Sequence, residues 1–228
     1  MHESDSFISE VSEEVRRDRL FATLRRYRWL IAAAVLLIVG GAAFNSWHQA
    51  RQRATAAAAG DALAAALAEP DATKRAEALA AFAAPTPEAA VLAWLAQAGS
   101  LEAAGDRDGA ARLLGEVAAD GAAAPIWRSL AALERVMLMG PEMDASERQA
   151  TLEGLVAPEA PFRPLALEQR ALMHLEAGDN AAAIADLNAV LGELNATEAL
   201  RAHARQLIVA AGGAIEPPAA PAVTVVDG

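Results

Sequence analysis

The sequence predicts an all-α protein: a single N-terminal transmembrane helix followed by a solenoid of helical hairpins. Three observations lead to this fold class. Alanine is the commonest of the apolar residues, which make up 54% of the 228 positions, and aromatic residues make up 4%; this composition favours helices over strands. An apolar run occupies residues 29–47, and two later segments share one helix–turn–helix pattern.

The apolar run is long enough to cross a bilayer. From Trp29 to Phe44 there is no polar side chain, and the run extends through two small polar residues to Trp47. At a rise of ~1.5 Å per residue, residues 29–47 span about 28 Å, close to the hydrocarbon thickness of a membrane. Tryptophan at both ends suits the headgroup level. The alternative is a buried helix of a soluble domain, but such helices rarely stay apolar on every face.

Arginines around this run indicate its orientation. Only Arg51 and Arg53 closely follow it, whereas six arginines precede it. The positive-inside rule therefore places residues 1–28 in the cytoplasm and exports residues 48–213, into the periplasm if the membrane is a bacterial inner membrane. A cleaved signal peptide is the main alternative, although the leading segment is long for one, and we expect an uncleaved anchor. The six preceding arginines are Arg16, Arg17, Arg19, Arg25, Arg26 and Arg28.

The leading segment, residues 1–28, is predicted to form an amphipathic helix. Phe7, Ile8, Val11 and Val15 recur at helical spacing. Such a helix would lie at the membrane surface or dock onto a membrane partner. Both possibilities place a cytoplasmic head before the span.

The distribution of charge and the lack of cysteine exclude several classes of function. Without cysteine, the chain has no disulfides, thiolate metal sites or cysteine nucleophiles. Six acids and six arginines balance in residues 1–28, so the net charge of −11 lies after Trp47, where twenty-four acids accompany thirteen cations. An acidic domain repels phosphate backbones, which argues against nucleic-acid binding.

Two segments of the predicted periplasmic domain repeat one another. Gly105 and Gly178 lie 73 residues apart, and each is followed by an aspartate. A small residue follows each glycine by five positions and a leucine by nine, as in a tetratricopeptide (TPR) hairpin. The unit between them, 125–156, is degenerate, and residues 214–228 are expected to be a disordered tail. The remaining matched residues are Asp106, Ala110 and Leu114, and Asp179, Ala183 and Leu187.

A family resemblance covers nearly the whole chain. The short charged head, the single span and the alanine-rich helical domain precede the segments Pro161-Phe-Arg-Pro-Leu-Ala-Leu-Glu168 and Arg201-Ala-His-Ala-Arg-Gln-Leu-Ile208. Together these features resemble the alphaproteobacterial members of the YfgM-type family, the TPR-like ancillary subunit of the SecYEG translocon. The resemblance implies association with the translocon and contact with exported polypeptides or periplasmic chaperones. The alternative is an accessory subunit of another inner-membrane complex, with the solenoid as a spacer or docking surface.

The sequence contains no recognisable catalytic or cofactor motif. Its four histidines lack the spacing of metal ligands, and no phosphate-binding loop or nucleophile elbow occurs. His174 is expected to be a core or groove residue. Trp94 and Trp127 are expected to fill the repeat core, with contact to a bound peptide as the alternative. We therefore expect no enzyme activity, no cofactor, no metal and no small-molecule substrate.

Four arginines are candidates for a partner-binding groove. Arg128 and Arg135 are seven residues apart, as are Arg163 and Arg170, so each pair shares a helix face. On an acidic domain they could line a concave surface and bind partner carboxylates. The alternative is a solvated face paired with nearby acids.

Overall fold

A computed structural model describes the backbone of residues 3–214 and the side chains of residues 29–214, except those at positions 31 and 35. Within this range the chain forms α-helices and no strand, which confirms the prediction of an all-α fold. Positions 215–228, most of the predicted disordered tail, lie outside the described residues. The helices are α1 (Glu3–Leu67), α2 (Ala72–Ala80), α3 (Pro87–Ala103), α4 (Arg107–Ala119), α5 (Pro125–Met139), α6 (Ala145–Leu155), α7 (Arg163–Glu176), α8 (Asn180–Gly192) and α9 (Glu198–Ala210).

Helix α1 is one continuous helix of 65 residues. It passes without a break through positions 28 and 47, the predicted limits of the transmembrane segment, and the leading segment is helical from Glu3. The chain divides into two compact units, Met1–Ala58 and Ala59–Gly228. Among the described residues, no helix combines the length and hydropathy needed to cross a membrane.

In the compact unit Ala59–Gly228, consecutive helices pack against one another along the chain. The buried side chains form three clusters, contributed by α3–α5, α5–α7 and α7–α9. Helices α5 and α7 each belong to two clusters, so the cores are joined end to end rather than merged into one. This nearest-neighbour arrangement is characteristic of helical repeats.

The first and last clusters come from two copies of the same three-helix unit. Helix α8 begins and ends 73 residues after α4, and α9 begins 73 residues after α5. The same offset relates seven pairs of buried apolar residues. The structure thus extends the repeat predicted from two helices to three. The pairs are Ala93 and Ala166, Ala98 and Ala171, Ala110 and Ala183, Leu114 and Leu187, Val117 and Val190, Ala123 and Ala196, and Ala131 and Ala204.

Both predicted Gly-Asp turns are present and share one geometry. Gly105 (φ +86°) and Gly178 (φ +77°) adopt the left-handed conformation just beyond α3 and α7. The N–H groups of Asp106 and Asp179 donate to the carbonyls of the residues five positions earlier, at 2.9 Å in both turns, which is the Schellman motif. Each aspartate side chain then caps the next helix, accepting from the backbone N–H three residues on.

The central hairpin, α5–α6, is built differently. A 3₁₀ turn at Gly140–Glu142 replaces the Gly-Asp turn, and Asp144 caps α6 by accepting from the N–H groups of Ser146 and Glu147. Bonding to Ser146 and Glu147 lowers the pKa of Asp144. Asp144 and Glu147 have the spacing of a capping box, but the Glu147 side chain instead pairs with Arg135 at 2.5 Å. The predicted degeneracy of this unit therefore corresponds to a different turn.

Candidate interaction groove

A groove of about 360 Å³ lies between α3, α4 and α5. Its volume is within the range of ~300–1,000 Å³ that is typical of ligand pockets. Alanine and glycine on α3 leave the space, and apolar side chains line much of it. We call this cavity the α3–α5 groove; its lining residues are Leu95, Ala98, Gly99, Glu102, Leu114, Glu134, Met137 and Leu138.

Two carboxylates face the α3–α5 groove without a cation between them. Partial burial, and secondarily the charge of Glu102, raises the pKa of Glu134. Among the described residues, neither Glu102 nor Glu134 forms an ion pair. Two arginines close by in the fold have other partners: Arg107 pairs with Glu142 at 3.2 Å and donates to the carbonyl of the lining residue Leu138, and Arg135 pairs with a carboxylate on α6. The groove therefore carries uncompensated negative charge.

The predicted groove arginines lie elsewhere, and three of them pair with acids of this chain. Arg170 binds Asp186 through two contacts, Nε–Oδ2 at 2.8 Å and an N–H to Oδ1 at 2.5 Å. Bonding to Asp186 raises the pKa of Arg170. Arg163 pairs with Glu193 and donates to a backbone carbonyl at 2.8 Å. These arginines join α7 to neighbouring segments of the same fold.

The other arginine pair, on α5, is also outside the α3–α5 groove. Arg135 forms the ion pair to α6 described above, and its guanidinium lies beside Gly115 of α4. The Nε of Arg128 is buried and has no acceptor among the described residues. None of the four predicted arginines lines the α3–α5 groove, but Arg135 lines a second, more open cavity of about 570 Å³ between α4 and α5.

Sequence reasoning did not anticipate a polar network around α7. Glu168 and Asp186 are buried; Glu168 contacts Nδ1 of His203 at 2.7 Å, and Asp186 lies 3.7 Å from Nε2 of His174. Histidine and acid are 35 residues apart in the first pair and 12 in the second, so only the fold brings them together. His174 is half-buried here, beside the Arg170–Asp186 pair rather than in the α3–α5 groove.

An ion pair between a buried arginine and an exposed glutamate links α6 to α7. Arg148 is 4% exposed, and it pairs with Glu176 at 2.5 Å and 3.3 Å. Its position on the core side of α6 was not evident from the sequence, where it stands between glutamate and glutamine. The contact fastens the irregular central hairpin to the regular last one.

The predicted membrane-anchor residues lie on α1. The rings of Phe44 and Trp47 are 6.1 Å apart, and the guanidinium of Arg51 stacks over Trp47 at 4.3 Å. Trp29 is 77% exposed. The side chains of the six preceding arginines, and the amphipathic pattern of residues 1–28, lie outside the described residues.

The two tryptophans of the first three-helix unit differ in exposure. Trp127 is partly buried against the core of α3–α5, as predicted for a packing residue. Trp94, on α3, is 36% exposed and precedes the groove residue Leu95. In the described part of the chain, no group of three or more histidine, aspartate or glutamate side chains is placed to hold a metal. No protein-family model, curated protein or solved structure matches this chain.

Proposed function

We propose that this chain is a membrane-anchored, TPR-like interaction protein. Its first helix holds it in a bacterial inner membrane with residues 1–28 in the cytoplasm. The helical array of residues 59–213 then acts on the periplasmic side as a binding surface for exported polypeptides or their chaperones. The proposal includes no catalytic step and no cofactor.

The observation that carries the proposal is the exposed apolar surface of α1. The large apolar side chains described between Trp29 and Phe44 are 61–77% exposed, and they occupy successive positions rather than one face. Water is an unfavourable neighbour for such a surface, whereas the hydrocarbon of a bilayer matches it. The helix also satisfies its own backbone hydrogen bonds, as a spanning segment must. The sequence completes the run at Ile31 and Val35, whose side chains lie outside the described residues.

The compact unit Ala59–Gly228 supports the interaction part of the proposal. Its three linked cores and its repeated three-helix unit are typical of proteins that present extended binding surfaces. The α3–α5 groove offers one such surface. A tether would keep it close to a membrane partner, so that weak contacts act at high local concentration.

The translocon as partner follows from the sequence resemblance described above. Site-specific photocrosslinking in membranes tests it: a photoreactive residue in α1 should trap a translocon subunit, and one beside the α3–α5 groove should trap exported chains or chaperones. A reporter fused after Gly228 should be active only outside the cytoplasm. Reporter activity in the cytoplasm, or no trapped translocon subunit with either probe, would rule out this assignment.

One observation favours the alternative of a spacer in another membrane complex. Helix α1 continues 20 residues beyond Trp47, to Leu67, which at ~1.5 Å per residue is about 30 Å of helix. A helical segment of this length is the kind of element that a spacer requires. Under this alternative, crosslinks from α1 trap a different membrane complex, and groove probes trap no exported chain.

A further inference from the structure

The residues that line the α3–α5 groove in the first three-helix unit change in the last. Leu95, Met137 and Leu138 of the groove correspond to Glu168, Ala210 and Ala211. Gly99, Glu102 and Glu134 line the groove, and each corresponds to a leucine 73 residues later in α7–α9. Two of these leucines are partly buried against the core of α7–α9. The corresponding leucines are Leu172, Leu175 and Leu207.

Packing alone does not explain the residues of the open groove. The two three-helix units share seven buried core positions, so leucine is compatible with this framework at the groove positions. Glycine within α3 costs helix stability relative to alanine, and a partly buried carboxylate costs desolvation energy. The first unit accepts both costs, which is the pattern expected where residues serve binding rather than folding.

The chemistry of the groove indicates a cationic occupant. Met137 is 54% exposed, and with Leu95 and Leu138 it forms an apolar wall. Glu102 and Glu134 supply two carboxylates that no described cation pairs with. A long cationic side chain would lay its methylene stem along the wall and place its charge between the carboxylates. Methionine adapts readily to partners of different shape.

We infer that the α3–α5 groove binds a lysine or arginine side chain of an extended polypeptide segment in which cationic and apolar residues alternate. This inference deepens the proposed function, because it names the chemistry by which exported polypeptides would be recognised. It opposes the expectation of arginines gripping partner carboxylates, because here the acid lies on this chain and the cation on the partner.

Fluorescence anisotropy with three labelled peptides tests the inference on the full chain in a neutral detergent. The probe is Gly-Leu-Ser-Lys-Leu-Ser-Lys-Leu-Gly, and two analogues carry glutamine or glutamate in place of both lysines. Empty micelles give the background. We expect the lysine probe to bind at least tenfold more tightly than the glutamine analogue, and the glutamate analogue to bind most weakly.

Two variants and one matched control variant locate the site. Glu102→Gln with Glu134→Gln removes the groove charge, and Glu77→Gln with Glu88→Gln removes the same charge from exposed positions outside it. Gly99→Leu introduces the residue that the last three-helix unit has at this position, and no heavy atom lies within 4 Å of the added Cβ. We expect tenfold weaker binding in the groove double variant and in Gly99→Leu, and unchanged binding in the control double variant.

Several results would overturn the inference. Equal affinity for the lysine and glutamine peptides would remove the role of the cation. Equal losses in the groove and control double variants would reduce the effect to overall charge, and full binding by Gly99→Leu would place the site elsewhere. Thermal unfolding of each variant shows that the fold is retained. If peptides bind in the groove but membranes yield no crosslinked exported chain, the inference stands and the proposed function fails. If the groove variants still capture exported chains in membranes, the proposed function stands and the inference about the groove fails.

Discussion

The first and last three-helix units, α3–α5 and α7–α9, share a buried framework and differ in what surrounds it. Alanine, leucine and valine recur at the same seven core positions 73 residues apart. Around them, the last unit carries Arg170 and Asp186 where the first has Gln97 and Leu113. The first unit instead places glycine and two glutamates where the last has leucines. One unit uses charge to join its own helices, and the other leaves charge facing an open groove.

Small buried residues therefore define the repeat, while polar residues distinguish its two copies. Ala110 and Ala183 are both fully buried, because close approach of the helices in each hairpin leaves no room for a larger side chain. Asp186 and Glu134 lie at the edges of these cores. At such positions the fold is compatible with an ion pair, an apolar contact or an unpaired carboxylate.

The largest expected effect follows from removing the ion pair of the last unit. Asp186→Ala leaves Arg170 partly buried without its acceptor, and His174 loses its neighbouring carboxylate. The free energy of unfolding should fall by about 2–3 kcal/mol, because an orphaned, partly buried charge costs more than the pair contributes. Urea unfolding of the full chain in a neutral detergent measures the change.

Importing the residues of the first unit provides the control. Arg170→Gln combined with Asp186→Leu reproduces Gln97 and Leu113, so neither charge is left unpaired. We expect this double variant to recover at least half of the loss. A double variant as unstable as Asp186→Ala would show that the ion pair is indispensable to the last unit and that the two units are not interchangeable.

The two Gly-Asp turns should respond alike to substitution. Gly105→Val and Gly178→Val each force a β-branched residue into the left-handed region, at a cost of about 1–2 kcal/mol. No heavy atom lies within 4 Å of a Cβ at either glycine, so the cost comes from the backbone alone. Asparagine at Gly178 should cost less, since it tolerates this conformation. Unequal decreases in the free energy of unfolding, measured in urea, would indicate that the two turns contribute unequally to stability.

The sequence predicted the regular hairpins because their signals are local. Glycine at a left-handed cap, aspartate at the next N-cap, and small or leucine residues at fixed distances all lie within about ten residues of Gly105 and Gly178. The middle unit lacks these residues, yet a signal for it existed. Helices α3 and α5 begin at Pro87 and Pro125, and α7 has Pro164 in its first turn. The limits predicted for the middle unit, 125–156, therefore coincide with α5–α6, which begins at Pro125 and ends at Leu155.

The candidate groove could not be read from the sequence in the same way. Its two carboxylates lie on α3 and α5, 32 positions apart, and only the packing of these helices brings them to one cavity. Spacing within one helix predicted a shared face for each arginine pair, but it could not show that Arg163, Arg170 and Arg135 find acids of the same chain. Long-range ion pairs depend on tertiary contacts that no local pattern encodes.

A smaller effect is expected from filling the open groove of the first unit. Gly99 lies inside α3 with no heavy atom within 4 Å of an added Cβ, so Gly99→Ala should stabilise the fold by about 0.5–1 kcal/mol through helix propensity. The same change at Gly105, where φ is +86°, should destabilise it. Thermal unfolding of both variants gives the comparison, and a loss of stability in Gly99→Ala would mean that the groove closes on this position.

The smallest expected effect concerns the pH dependence of the first unit. Burial, with the nearby charge of Glu102, raises the pKa of Glu134, so the folded chain holds this proton more tightly than the unfolded chain does. The free energy of unfolding should therefore fall as pH rises from the ordinary glutamate pKa through the raised native value. Glu134→Gln has no such proton to lose, so it should remove this part of the slope and be more stable than the unsubstituted chain above that interval.

Glu102→Gln should shrink the effect without abolishing it, because burial is the larger cause. Urea unfolding between roughly pH 4 and pH 8 measures the profiles. A constant difference between Glu134→Gln and the unsubstituted chain across this range would show that the carboxyl of Glu134 is as well solvated in the folded chain as in the unfolded one.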